Sequence, residues 1–116
     1  MSKVKITVGG DIEKDASRRF VRAWRQAARG KAVRERHLAF ESWTALSRVL
    51  TGKRLESLHH VRHHKVVSVR ALAKALDRDY SNVHADVRAL ADAGLLDMDK
   101  GSVRADYDAI ETRVTI

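Results

Sequence analysis

Apolar positions change their period along this chain, and the changes mark out its elements. Lys3 to Val8 alternates polar residues with Val4, Ile6 and Val8, the two-residue period of a short strand, and Gly9-Gly10 ends it. From Asp11 to about Ala28 the period lengthens. Ile12, Ala16, Phe20, Trp24 and Ala27 recur every three or four residues, which predicts an amphipathic helix stopped by Gly30. Arg18, Arg22, Arg25 and Arg29 form a ridge on its other side. His37 to Phe40 predicts a second short strand that can pair with the first in a strand-helix-strand unit. Ser42 suits the N-cap of a helix turning Trp43, Leu46, Val49 and Leu50 inward. Gly52 separates it from another helix with Leu55, Leu58 and Val61 inward.

The sharpest pattern follows. Ser68 caps a short helix whose inward positions are Val69, Leu72, Ala73 and Leu76. The polar turn Asp77-Arg78-Asp79 leads to a longer helix from about Tyr80 to Ala93, with Val83, Val87 and Leu90 inward and Gly94 at its end. Two helices around so short a turn predict a helix-turn-helix. Leu95 to Met98, the turn Asp99-Lys100-Gly101 and Ser102 to Ala105 then predict a hairpin, the wing. Ile110, Thr112, Val114 and Ile116 predict a last strand, added to the N-terminal strands or to a second subunit. The expected fold is mainly α with a small β component (α+β): an N-terminal strand-helix-strand element, residues 1–41, ahead of a winged helix-turn-helix, residues 42–116.

Composition narrows the chemistry. A chain of 116 residues, 44% hydrophobic and 33% charged, suits a folded protein of about one compact domain with a small appendage. Cysteine is absent, which excludes disulfides, thiolate metal sites and a cysteine nucleophile. No apolar run has the length of a membrane span, so a cytoplasmic protein is expected. The net charge of +8 predicts a polyanionic partner. Arg18, Arg19, Arg22, Arg25, Arg29, Lys31, Arg34 and Arg36 stand against one acid, Glu35, whereas the tail after Ala91 is mainly acidic. The basic ridge can be a solvated face, a contact to flanking phosphate or a dock for an acidic protein.

The run Val69 to Asp108, VRALAKALDRDYSNVHADVRALADAGLLDMDKGSVRADYD, resembles winged-helix regulators of the MarR-like kind. Phe40-Glu41-Ser42-Trp43 and Leu50-Thr51-Gly52-Lys53-Arg54-Leu55 extend the likeness to a prokaryotic group of predicted transcriptional regulators with a strand and helix ahead of the winged domain. Arg78 to His84, with Asp86-Val87, is its most specific part. The resemblance implies a dimeric DNA-binding regulator, often encoded beside toxin-like genes, and so an antitoxin role as well. Ala85 departs from the pattern, which usually has a basic residue there.

In a helix-turn-helix the second helix enters the major groove and its N-terminal residues meet base edges. Opposite the stripe Val83, Val87, Leu90, a step of about 100° per residue puts Ser81, Ala85 and Arg88 outward, flanked by Asn82 and His84. Asn pairs with adenine and Arg with guanine through two atoms each, Ser and His make single bonds, and the Ala methyl meets that of thymine. Phosphate positioning is expected from Ser68, Arg70, Lys74, Arg78 and Tyr80, and from Lys100 and Arg104 on the wing. Tyr80 can equally pack on the turn, and Asp86 is expected to brace a neighbouring helix through an Arg. Val4, Ile6, Ile12, Phe20 and Trp24 are the expected dimer or partner contacts.

His59-His60-Val61-Arg62-His63-His64 holds two i, i+4 histidine pairs, but no further ligand is evident beyond Glu56. Neither metal, cofactor nor catalysis is expected, since Ser42, Ser47 and Ser81 sit at caps or surfaces with no triad pattern around them. The leading expectation is a homodimeric repressor that reads a pseudo-palindromic double-stranded DNA operator. The alternative is an antitoxin-type protein that neutralises a toxin-like partner and autoregulates its operon.

Overall fold

A computed structural model describes residues 2–10 and 35–116. It is a small α+β protein. The predicted helix over Asp11–Ala28, its arginine ridge and the expected contacts Ile12, Phe20 and Trp24 lie outside the described residues. Among the described residues the order is β1 (Lys3–Val8), β2 (Glu35–Phe40), α1 (Trp43–Val49), α2 (Gly52–His63), α3 (Val69–Ala75), α4 (Tyr80–Asp92), β3 (Asp97–Asp99), β4 (Ser102–Arg104) and β5 (Ala109–Val114).

The chain divides into two compact units, one made of residues 1–46 with 107–116, the other of residues 47–106. In the first, β1 lies between β2 and β5 and is parallel to both. The alternation in β1 has the predicted consequence: Val4, Ile6 and Val8 are buried while Lys3, Lys5 and Thr7 stay half-exposed. Full burial of each such side chain is worth about 1.5–3 kcal/mol. Val4 and Ile6 are 0% and 1% exposed, so the expectation that they meet a partner is corrected: their own fold takes them up. On the other face Glu35 gathers Lys3 at 3.8 Å, Lys5 at 3.5 Å and the His37 ring at 3.3 Å. The last strand, expected within residues 42–116 and left to join either the N-terminal strands or a second subunit, runs beside β1, with Val4 opposite Ile110 and Val8 opposite Val114.

Residues 47–106 form the helical unit. Thr51 caps α2 through Oγ1, which accepts from the Arg54 amide at 3.3 Å, and Ser68 caps α3 by accepting from Ala71 at 3.0 Å. Both α3 and α4 end in the same hydrogen-bonded reversal. After α3, Arg78 N–H donates to Ala73 O at 3.0 Å and Asp77 N–H to Lys74 O at 3.2 Å, with Asp77 at φ 52°. After α4, Leu95 donates to Leu90 O at 2.8 Å around Gly94, whose φ of 87° a residue with Cβ rarely adopts. Lys100 and Gly101, at φ 50° and 87°, make the two-residue turn between β3 and β4.

A core of Leu58, Val61, Leu72, Val83, Val87, Leu90, Leu95 and Val103 joins the helices to the hairpin, and Val66 pairs with Val103 to extend it. Two inward assignments are corrected. Trp43 is 59% exposed and Leu55 45%, both in the first turn of their helices.

Candidate nucleic-acid interface

The face of α4 opposite Val83, Val87 and Leu90 carries Ser81, Asn82, His84, Ala85 and Arg88, and all five are exposed. Asp79 begins the helix, its Oδ2 accepting from the Asn82 amide at 3.4 Å. Arg88 makes only a loose pair with Asp92, 3.9 Å apart with both side chains more than 70% exposed. Such a contact contributes little and leaves the guanidinium available.

Beside this strip, Tyr80 is held rather than loose. The Arg70 guanidinium of α3 sits 4.7 Å from the Tyr80 ring centroid, and the His84 ring centroid lies 5.7 Å from it at a tilt of 42°. Arg70, Tyr80 and His84 therefore form one continuous surface over the start of α4. Lys74, Lys100 and Arg104 are exposed as well, Arg104 standing 3.9 Å from Asp106. Ser68 has its hydroxyl oxygen engaged as the α3 cap.

Arg78 departs from expectation. Its Nη2 donates to Asp86 Oδ2 at 2.9 Å and its side chain is only 20% exposed, with Nη1 buried and without a hydrogen-bond partner. The phosphate contact expected of Arg78 is thus replaced by an inward brace, because a carboxylate lies within reach and the residue sits under the helix. Asp86 takes a second arginine: Arg54 Nε donates to Oδ1 at 3.1 Å, while Arg54 Nη1 donates to the carbonyls of Arg48 at 2.9 Å and Val49 at 3.0 Å. One carboxylate thereby ties the end of α1, the start of α2, the turn before α4 and α4 itself. The sequence suggested the Asp86 brace but not the Arg54 partner, 32 positions away; no local spacing rule reaches so far.

The histidines at the end of α2 pack against one another. The rings of His60 and His64 stack at 4.1 Å, those of His59 and His63 meet at 4.5 Å, and the Nδ1 of His64 is 3.0 Å from the carbonyl oxygen of His60. Among the described residues no group of three metal-ligating side chains comes together. Burial, with the charges of His64 and His59, holds His60 below its usual 6.5. The folded state therefore binds this proton less readily than the unfolded one, and stability is lost as pH falls through 6.5 towards the lowered value. Urea unfolding at pH 7 and pH 5 should show a smaller loss for His60→Gln than for the wild type; an equal loss would contradict this assignment.

A small α+β protein with an exposed polar strip on one helix is the class these features define. A family model matches residues 49–112, over half the chain, and the chain belongs to that family, HVO_A0114. No curated protein and no solved structure matches it.

Proposed function

We propose that residues 47–106 are a winged helix-turn-helix and that the protein is a sequence-specific double-stranded DNA-binding regulator of the MarR-like kind, acting as a homodimeric repressor. The observation that carries this reading is α4: one face is buried, and the opposite face offers Ser81, Asn82, His84 and Arg88 to solvent around the small Ala85. Those groups match the donor and acceptor code of the major groove, and a helix presented in this way fits that groove. The net charge of +8 favours the same partner. Arg70, Lys74, Lys100 and Arg104 are the cations assigned to phosphate, with Tyr80 held against Arg70 at their side. Arg78 has no phosphate role in this scheme; it holds α4 in place.

Fluorescence anisotropy with a labelled random-sequence duplex tests the electrostatic half of the proposal. Four phosphate contacts per chain, eight per dimer, predict a slope of log K on log salt of about −7, a loss of roughly ten-thousandfold between about 50 and 200 mM salt. Binding that is absent at low salt, or indifferent to salt, would sink it. The antitoxin alternative rests on the N-terminal segment and predicts that the full chain, co-expressed with a toxin-like partner, binds and neutralises it.

A further inference from the structure

Strand β5 is an edge of the parallel sheet: β1 occupies one side, and among the described residues no strand pairs with the other. Within it Glu111, Thr112, Arg113 and Val114 are all exposed, whereas β2, the opposite edge, is half-buried throughout. An uncovered strand of this kind, free of proline and glycine, is a template for another strand. Thr115 N–H donates to Val8 O at 3.0 Å, so odd-numbered residues turn their backbone groups toward β1. By the alternation of strand geometry, Ile110, Thr112 and Val114 turn theirs outward.

We propose that β5 pairs antiparallel with β5 of a second copy, centred on Thr112, joining two three-stranded sheets into one of six. The sequence around Thr112 is self-complementary in this register. Glu111 faces Arg113 of the second copy and Arg113 faces its Glu111, so the two-fold axis creates two opposite-charge pairs, while Ile110 and Val114 form two apolar pairs. The outward backbone groups of Ile110, Thr112 and Val114 supply the hydrogen bonds. Glu111 already stands 3.4 Å from Lys3 Nζ with its side chain 54% exposed, so it is held on the sheet while it receives the second cation. Any slip by one residue would place Glu111 and Arg113 against uncharged partners, which gives this register its preference. This inference rests on the homodimeric part of the reading above and is independent of whether the dimer binds DNA.

Sedimentation of the full chain, without DNA, should give twice the 13.1 kDa of one copy. Glu111→Arg alone and Arg113→Glu alone should each raise the dimer dissociation constant about tenfold or more, and the double exchange should restore it, because only the double variant regains both charge pairs. Circular dichroism of each variant separates this effect from unfolding. The chain has no cysteine, so Thr112→Cys introduces a single thiol, which should oxidise to a disulfide-linked dimer: opposite residues in a hydrogen-bonded antiparallel pair lie about 5.5 Å apart, within disulfide reach. Lys53→Cys, exposed on α2, should not cross-link comparably. A monomeric wild type, a dimer indifferent to both single exchanges, or equal cross-linking at residues 53 and 112 would overturn the proposal. Because none of these readouts involves DNA, a failure here is distinct from a failure of DNA binding.

Discussion

Asp86→Ala should lower the stability of the 47–106 unit by about 2–3 kcal/mol, measured by urea unfolding. The carboxylate is only 14% exposed and accepts from two guanidinium groups, Arg54 at 3.1 Å and Arg78 at 2.9 Å, each itself about one-fifth exposed. Removing one member of a buried ion pair costs about 3–5 kcal/mol because the remaining charge is left without compensation, whereas an exposed pair is worth about 0–1. The partial exposure here sets the value between those limits. The cost is high for its size because two cations lose their common anion together, one of them Arg78, whose Nη1 is already buried without a partner. Asp86→Asn keeps an acceptor but no charge and should fall between wild type and alanine. Arg54→Ala and Arg78→Ala should be non-additive with Asp86→Ala, since all three share one network. A change below about 0.5 kcal/mol for Asp86→Ala would show that the clamp contributes nothing. The same variant bears on function, because α4 would lose its tie to α2 and its outward residues would be held less rigidly.

How far these features could be read in advance depends on how local their causes are. The caps at Ser42, Thr51, Ser68 and Asp79 act within three residues, and those at Ser42 and Ser68 were legible from residue type and spacing. The buried stripe Val83, Val87, Leu90 was equally legible because helical periodicity alone places it, and the outward strip follows as its complement. The fate of Arg78 was not legible. On a helix-turn-helix reading it faces phosphate, and only the approach of Asp86 across the turn draws it inward. Val4 and Ile6 show the same limit: their alternation gives a strand with an apolar face but not what covers that face. Nor did the alternation of β5 select its neighbour, because parallel pairing with β1 joins residues more than 100 positions apart.

Asn82→Ala combined with Arg88→Ala should reduce affinity for the specific duplex at least about a hundredfold while leaving stability nearly unchanged. Each two-atom contact to a base is worth about 1–3 kcal/mol of discrimination, and the two residues occupy the first and third turns of the exposed face. Neither has a structural bond that the substitution would break at cost. Arg88 meets Asp92 at 3.9 Å in open solvent, and the Asn82 amide that binds Asp79 is a backbone group retained in alanine. Alanine is also the best helix former, so the helix itself gains. Binding to unrelated duplex should change by no more than about threefold, because it depends on phosphate contacts. Equal losses on specific and unrelated duplexes would mean that these side chains supply charge or folding and not readout.

Whether α4 reads sequence is decided by selecting bound duplexes from a random pool with the purified wild-type protein. An inverted repeat with half-sites about one helical turn apart should be recovered and bound far more tightly than random duplex at the same salt. Recovery of no motif, with all duplexes bound alike, would contradict it and leave the exposed face of α4 to some other partner.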